Sequence, residues 1–228
     1  MNISIFTRKE ASKAKGLCVV IDVLRAFTTA AYAFSRGAKE IILVSTKEEA
    51  FKKHVQNPSL MLMGEEHGLQ IPGFHFGNSP FQLQKEDLFG QTLVQRTSAG
   101  TQGAVTCTQN SGMLLASFVV AEATIRHIQK INPSELSFIV TGTKDGDEDL
   151  AFAEYASMRL QGKNVDLEPY LQRVQNSPSG RLHCDPLIPE LPKEDLDLAL
   201  QANRFSFAME VTKNGNDLVA RAVEINGA

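Results

Sequence analysis

Short apolar runs alternate along the chain with segments whose apolar residues recur at helical spacing. The apolar runs are GLCVVID, KEIILVS, SLMLMGEE, QTLVQRT, MLLASFVV and ELSFIVTG. The helical segments between and after them include VLRAFTTAAYAFSRGAKE, STKEEAFKK, AEATIRHIQKI and DEDLAFAEYASMRLQG. Such runs are typical of buried strands, and strands that alternate with helices predict a largely parallel sheet covered on both faces. The pattern therefore predicts an α/β fold with three layers, α/β/α.

The pattern changes beyond about Gly162, where proline and charged residues become more frequent. The segment FSFAMEVTKNGNDLVARAVEI holds Asn214-Gly215 between two apolar stretches and predicts a C-terminal β-hairpin, which would make the sheet mixed. We expect a single α/β domain over residues 1–228, and the sequence leaves open a division into two lobes near 110–160. Ser45 and Glu48 have the spacing of a capping box before the second helix.

Composition and charge narrow the classes of partner. The chain has 228 residues, 43% of them hydrophobic, and a formal net charge of -3. This balance offers no basic surface for a nucleic acid or an anionic membrane, so we expect neither as a partner. No run approaches the roughly 20 apolar residues of a membrane span, and the start lacks the apolar core of a signal peptide, which predicts a cytoplasmic protein. The widely spaced Cys18, Cys107 and Cys184 are expected to be reduced thiols.

Candidate functional residues fall where the predicted strands end. Asp22 and Arg25 follow the first strand, and Glu65 lies at the end of the third. Two further stretches, TSAGT at 97–101 and TGTKDGDED at 141–149, follow later strands. In open α/β sheets ligands bind outside the carboxyl ends of the strands, where loops lead into helix N-termini. The sequence therefore predicts one cleft that collects these side chains.

The residue types in this cleft favour phosphoryl chemistry. Carboxylates from separate loops, namely Asp22, Glu65 and Asp149, could hold Mg2+, which prefers oxygen ligands. The donors that could hold phosphate oxygens are Arg25, the amides around Gly100 and Thr101, and Lys144 or Arg96. A cation and a set of anion-binding donors together would stabilise the charge of a phosphoryl group.

Each of these residues also has a structural interpretation. Asp22 could cap the helix that follows it, and Arg25 could be a surface arginine. The run KDGDED is typical of a solvated turn, and SAGT lacks the lysine of a P-loop. His67 and His75 flank a glycine-rich segment, but loop histidines are more often structural or solvated, so we assign them no catalytic role. The cysteines lack the CxxxxxR arrangement, which argues against a cysteine phosphatase.

The segment GFHFGNSP favours neither helix nor strand. Gly77 permits close approach of the backbone and Pro80 fixes the chain, so that Asn78 and Ser79 could present polar groups to the cleft. The alternative is a structural turn that braces the loop carrying Glu65. We expect the turn to help shape an anion site.

Four blocks of the sequence resemble one known family. The blocks are VVIDVLRAFTTAAYAFSRGAKEI, GEEHGLQIPGFHFGNSP, RTSAGTQGA and EDLAFAEY. In this order and spacing they are similar to the 2-phosphosulfolactate phosphatase family over roughly residues 18 to 155, while the C-terminal third matches loosely. The resemblance implies a Mg2+-dependent acid phosphatase, a phosphoric monoester hydrolase that converts 2-phosphosulfolactate to sulfolactate and phosphate on the route to coenzyme M. It also implies a homodimer.

The resemblance assigns roles to residues of this chain. It implies Asp22, Arg25 and Glu65 as catalytic residues, Asn78, Ser79, Thr97, Gly100 and Thr101 as substrate-binding residues, and Asp22, Glu65, Glu148 and Asp149 as metal ligands. Two routes of attack on phosphorus stay open. Either Asp22 forms an aspartyl-phosphate, or a metal-activated water attacks while a carboxylate accepts its proton. We favour the water, because Asp22 also makes a good metal ligand.

The chain departs from the family pattern at three positions. His75 stands where the family has an aspartate, and Ala99 and Val120 stand where asparagines are expected. Loss of amide side chains would remove donors for a carboxylate or sulfonate, so another phosphorylated acid is an open alternative as substrate. A non-catalytic sensor of a small phosphorylated metabolite is also open, although the retained carboxylates disfavour it. A nucleotide-binding domain ranks last, because no GxGxxG turn follows the first strand.

Overall fold

The computed structural model describes residues 1–107, 109–142 and 147–225, which include a sheet of ten strands. The strands are β1 (Asn2–Thr7), β2 (Leu17–Ile21), β3 (Glu40–Leu43), β4 (Met61–Glu66), β5 (Leu69–Gln70), β6 (Thr92–Arg96), β7 (Gly112–Ala116), β8 (Glu135–Val140), β9 (Phe207–Asn214) and β10 (Asp217–Glu224). Their order across the sheet is β1-β8-β2-β7-β9-β10-β3-β6-β4-β5.

Helices connect most of the strands. The α-helices are α1 (Ala26–Ser35), α2 (Lys47–Gln56), α3 (Pro80–Leu83), α4 (Gly100–Thr106), α5 (Ala121–Ile131), α6 (Asp147–Leu160), α7 (Glu168–Asn176), α8 (Pro178–Leu182) and α9 (Lys193–Ala199). Two 3-10 helices span Arg8–Lys13 and Phe118–Val120. No helix in the described ranges is long and apolar enough to cross a membrane.

The C-terminal hairpin lies in the middle of the sheet. The strands β1, β8, β2 and β7 pair in parallel, as do β3, β6 and β4. The hairpin β9–β10 joins these two parallel blocks, because β9 pairs antiparallel with β7 and β10 pairs antiparallel with β3. The predicted hairpin and the mixed sheet are confirmed. The central position of the hairpin was not predicted, because the sequence marks a turn but not the neighbours of its strands.

Alternating residues of β2 show that both faces of the sheet are covered. Cys18 and Val20 lie in one buried cluster with α1 and α4, whereas Val19 and Ile21 lie in a second cluster with α5 and α6. A third cluster packs α2 against the outer residues of β3, β4 and β6. The three-layer α/β/α fold predicted from the alternation is therefore confirmed. The single domain over 1–228 and its division near 110–160 stay predictions.

Helix α1 is buried over almost its whole length. Every residue from Ala26 to Phe34 is buried, and the cluster that encloses them draws residues from both parallel blocks and from the hairpin. A helix without a polar face needs cover on all sides. Both parallel blocks and the hairpin supply that cover.

Three local features differ from the sequence-based expectations. The edge strand β1 was missed. The run MLLASFVV is a strand only as far as Ala116, and Phe118–Val120 is a 3-10 helix. The N-cap of α2 is Thr46, one residue later than predicted: Thr46 Oγ1 accepts the N–H of Glu49 (3.1 Å), and Glu49 Oε2 accepts the N–H of Ser45 (3.2 Å), the residue before the cap. The segment STKEE permits both registers, and Val44 still pairs with Gln95 of β6, which keeps the chain extended for one residue more.

Candidate active site

A cavity of about 180 Å3 opens at the carboxyl ends of β2, β4, β6 and β8. Six of the predicted site residues line it: Asp22, Arg25, Glu65, Asn78, Glu148 and Asp149. The other lining residues among those that the structure describes are Leu24, Gly68, Ala99, Gly142, Ser179, Leu182, His183 and Leu191. The cleft expected from the strand ends is therefore present, and it joins residues of both parallel blocks.

Asp22 caps α1 and lines the cavity at the same time. Its Oδ1 accepts the N–H of Ala26 (2.9 Å), and its Oδ2 lies 3.3 Å from the hydroxyl of Thr141. Burial raises the pKa of the Asp22 carboxyl to about 7, and the charges of Glu65 and Glu148 add to the rise. The capping role and the site role weighed from the sequence are thus compatible in one side chain.

Asp149 ties together two loops of the site. Its Oδ1 accepts the N–H of Val23 (2.8 Å), and its Oδ2 accepts the N–H groups of Thr141 (2.9 Å) and Gly142 (2.8 Å). Burial and the neighbouring carboxylates hold the pKa of Asp149 well above its usual range. Asp149 therefore fixes the loop after β2 against the loop after β8.

The two glutamates come from opposite sides of the cavity. Glu65 Oε2 accepts the N–H of Gly68 (2.7 Å), and its Oε1 accepts the N–H of Ser98 (2.5 Å). Glu148 Oε1 accepts the hydroxyl of Ser179 (2.9 Å), and burial raises the pKa of its carboxyl. Four carboxylates thus converge on one small cavity, and burial there raises the pKa of Asp22, Glu148 and Asp149.

Arg25 is held in place by a buried acid that the sequence did not reveal. Its Nη1 donates to Asp195 Oδ2 (2.7 Å) and to the carbonyl of Glu190 (3.1 Å), and its Nη2 donates to the carbonyl of Gly68 (3.1 Å). Both ion-pair partners are buried. The guanidinium is therefore fixed at the cavity wall, and Asp195 balances its charge.

The two polar residues of the Asn-Ser-Pro turn, Asn78 and Ser79, have different roles. Ser79 caps α3 by accepting the N–H of Gln82 (3.2 Å) and donates its hydroxyl to Asp195 Oδ1 (2.7 Å). It supports the partner of Arg25 and does not line the cavity. Asn78 lines the cavity, and its buried Oδ1 has no hydrogen-bond partner among the described residues.

The two threonines in the turn between β6 and α4 hydrogen-bond to each other. Thr97 N–H donates to Thr101 Oγ1 (2.9 Å), and Thr101 N–H donates to Thr97 Oγ1 (3.0 Å). A Cβ at Gly100 would lie 2.8 Å from Asp22 Oδ2 and 2.7 Å from the Cβ of Ala26. These three residues do not line the cavity; they bring α4 against Asp22. A direct contact of Thr97, Gly100 or Thr101 with substrate stays a prediction.

Ser179 and His183 are lining residues that the sequence analysis missed. They belong to α8 and the residue after it, and Ser177 caps this helix by accepting the N–H of Gly180 (2.9 Å). Asn176-Ser177-Pro178 repeats the motif of residues 78–80, with serine again as the cap and proline as the first helical residue. This second Asn-Ser-Pro was a usable signal for a helix start, although not for its place at the cavity.

Comparisons with known proteins place the chain in a family. A family model described as 2-phosphosulpholactate phosphatase matches residues 4–214. The chain belongs to this family. A Bacillus subtilis protein named "Probable 2-phosphosulfolactate phosphatase" is 33% identical over 218 residues, which cover 94% of this chain and 96% of that protein. Proteins of the same name from Deinococcus radiodurans (38% over 56% of this chain and 53% of that protein) and Thermoplasma volcanium (26% over 80% and 83%) are also similar.

Membership of the 2-phosphosulpholactate phosphatase family confirms the resemblance and the enzyme class, a phosphoric monoester hydrolase. Of the three departures from the family pattern, only Ala99 lines the cavity. His75 instead accepts the N–H of Leu62 at its Nδ1 (2.9 Å), and Val120 is fully buried in a 3-10 helix. The substitutions at 75 and 120 therefore lie outside the cavity wall of this family member.

The sequence also suggested Arg96 and Lys144 as donors to phosphate oxygens. Arg96 donates to the carbonyl of Glu65 (2.8 Å) and pairs with Glu66 (3.2 Å), and it does not line the cavity. Lys144 lies outside the described residues.

The donor set of the cavity suits a hard divalent cation. In the described part of the chain no group of three or more His, Cys, Asp or Glu side chains is arranged to hold a metal ion. Mg2+ does not need such a group, since it is commonly held by one or two carboxylates together with water and phosphate oxygens. Asp22 and Asp149 line the cavity, and for both the pKa is raised in part by other carboxylates that line it. A bound cation would relieve this repulsion, so the residues fit the predicted metal.

Proposed function

We propose that this chain hydrolyses the phosphate ester of 2-phosphosulfolactate to sulfolactate and phosphate in a Mg2+-dependent reaction. The observation that carries the proposal is the convergence of four buried carboxylates and one anchored arginine on a single cavity, in a member of this phosphatase family. A cavity of about 180 Å3 suits a small phosphorylated acid in size.

The charge in the cavity supports the requirement for a cation. The proposed substrate carries a phosphate, a carboxylate and a sulfonate, all negative at neutral pH. The lining holds Asp22, Glu65, Glu148 and Asp149, and the charge of Arg25 is balanced by Asp195. Such a substrate would be repelled unless a cation offset these charges. One or two of the four lining carboxylates, Asp22, Glu65, Glu148 and Asp149, would hold Mg2+, which supplies a Lewis acid when bound.

The chain's own residues then bind and orient the substrate. Arg25 offers the guanidinium hydrogens that Asp195, Glu190 and Gly68 leave unused, and Asn78 offers its amide group. The apolar side chains of Leu24, Leu182 and Leu191 form part of the wall and limit the entry of water. We favour water over Asp22 as the nucleophile, because Asp22 Oδ1 is committed to the N-terminus of α1.

A phosphate-release assay tests the proposal. The panel contains 2-phosphosulfolactate, phosphoglycolate and 2-phosphoglycerate, each assayed with Mg2+ and with EDTA. We expect turnover of 2-phosphosulfolactate in Mg2+ and a loss of about 100-fold or more in Asp22→Asn. Asp217→Asn, which removes the ion-pair partner of Lys53 and does not line the cavity, is the matched control. Saturable binding of one compound without release of phosphate would instead identify a sensor.

A further inference from the structure

One histidine lines the cavity with an unused nitrogen. His183 is 4% exposed, and its Nδ1 lies 2.8 Å from the carbonyl oxygen of Ser179. A carbonyl oxygen can only accept, so Nδ1 carries the proton and Nε2 carries the lone pair. This Nε2 is buried and has no hydrogen-bond partner among the described residues. A buried acceptor without a partner, at the wall of a ligand cavity, is suited to a group that enters with the ligand.

The surroundings of His183 favour the neutral ring. Burial is the largest effect and lowers the pKa of His183, and the positive charge of Arg25 lowers it further, while a hydrogen bond to Ser179 and the charge of Asp195 act in the opposite sense. The ring is therefore uncharged at neutral pH and can accept a proton. Of the described histidines, only His183 lines the cavity.

The carboxylates of the cavity are less suited to act as the base, because each already accepts hydrogen bonds, Glu148 from the hydroxyl of Ser179 (2.9 Å). Both oxygens of Asp149 and of Glu65 already accept hydrogen bonds from backbone N–H groups. Asp22 Oδ1 caps α1. A carboxylate that also binds a cation loses basicity, whereas His183 Nε2 is free of both commitments.

We propose that His183 Nε2 is the general base that accepts the proton of the attacking water, an inference that rests on the phosphatase function proposed above. As the water oxygen bonds to phosphorus, its proton passes to Nε2, and the ester P–O bond breaks. The leaving alkoxide takes a proton from solvent water, and the imidazolium returns its proton to solvent. The role is the same if the water attacks an aspartyl-phosphate.

The variant His183→Gln tests this role, because glutamine keeps a polar side chain of similar length but accepts no proton at neutral pH. We expect kcat to fall by about 100- to 10,000-fold with little change in KM. The acidic limb of the kcat–pH profile should disappear, and added imidazole should partly restore turnover in His183→Ala. The matched control is His127→Gln, a buried histidine on α5 whose Nε2 lies 3.3 Å from Glu210 Oε2, outside the cavity. It should keep the wild-type kcat.

The possible results of these experiments distinguish a failure of the His183 proposal from a failure of the proposed function. Wild-type protein without phosphatase activity would overturn both. Active wild type together with an unchanged kcat in His183→Gln would overturn the role of His183 alone. A fall in Mn2+ affinity, measured by electron paramagnetic resonance, would make His183 a metal ligand and also overturn it. If the variants do not fold, 15N correlation spectra of the wild-type histidines decide: the proposal requires a neutral Nδ1–H tautomer, and an Nε2–H or charged ring at pH 7 contradicts it.

Discussion

At the scale of a single residue, the burial of Asp22 favours its protonated form, whereas the proposed binding of a cation needs its charged form. Burial raises its pKa from the ordinary value of 3.8 to about 7, so the folded protein favours the protonated form. An acid with a raised pKa contributes most to stability below its unfolded pKa, and this contribution is lost as the pH rises towards the folded pKa. The window for Asp22 therefore runs from about pH 4 to pH 7.

Replacement of Asp22 should remove the loss of stability that comes from burying a charged carboxylate at high pH. Without Mg2+, we expect Asp22→Asn to melt roughly 5 °C higher than wild type at pH 8, with a smaller difference at pH 5.5. Asparagine keeps the oxygen that caps α1 but cannot be charged. Addition of Mg2+ should raise the melting temperature of wild type more than that of the variant. Differential scanning fluorimetry measures this, and an Asp22→Asn protein that is equally destabilised at both pH values would refute the explanation.

Two neighbours in the Asn-Ser-Pro turn should respond differently to truncation. Ser79→Ala removes a cap of α3 and a donor to buried Asp195, so we expect a loss of about 1–2 kcal/mol in unfolding free energy. Asn78→Ala removes an amide whose Oδ1 has no partner among the described residues, so stability should hardly change while KM rises. Urea unfolding and steady-state kinetics on both variants measure this. Unchanged KM and kcat in Asn78→Ala would remove Asn78 from the binding site.

The site residues predicted from the sequence belong to the regular strand–helix pattern or to the Asn-Ser-Pro turn. Asp22 and Glu65 lie at strand ends, Asp149 lies in the first turn of α6, and Asn78 lies just before α3. Asp195 and His183 come from the irregular C-terminal third, and Asp195 reaches Arg25 across 170 positions of the chain. No local pattern encodes a contact of that kind, because it depends on how α8 and α9 pack over the cavity.

At the scale of elements, α4 must approach α1 closely. The closest approach occurs at Gly100, where any Cβ would overlap Asp22 and Ala26. By contrast, a Cβ at Gly77 would meet Gln70 Oε1 at 3.4 Å, an ordinary contact, although the sequence suggested that Gly77 serves close approach. The residue type alone does not reveal which glycine is sterically required, since that depends on the packing partner.

This contrast predicts different effects of a methyl group. Gly100→Ala should displace α4 from Asp22 and lower kcat/KM by roughly 10- to 100-fold, because small displacements of site groups are costly. Gly77→Ala, in a loop of the same site, is the control and should stay within about threefold of wild type. Phosphate-release kinetics on the two variants measure the difference. Equal activity of the two variants would show that the approach of α4 is not needed for function.

At the scale of the whole molecule, the site joins parts of the sheet that are far apart in strand order. The strands β2 and β4 are six steps apart in the sheet order, which would separate them by about 29 Å in a flat sheet. Asp22 and Glu65 nevertheless line the same cavity. Between them lie the hairpin β9–β10 and the start of α4, where Gly100 packs against Asp22 and Ala26. The alternation of strands and helices predicted the layers, but it did not predict which strand ends meet at the cavity.

The most direct test of the account is the rate of phosphate release from 2-phosphosulfolactate by the wild-type protein, with Mg2+ and with EDTA. The account predicts turnover that saturates with Mg2+ and stops in EDTA, because the carboxylates of the cavity need a cation before they admit an anionic substrate. Equal turnover in EDTA would contradict the role assigned to these carboxylates. No turnover in either condition would contradict the assignment of the cavity as a phosphatase site.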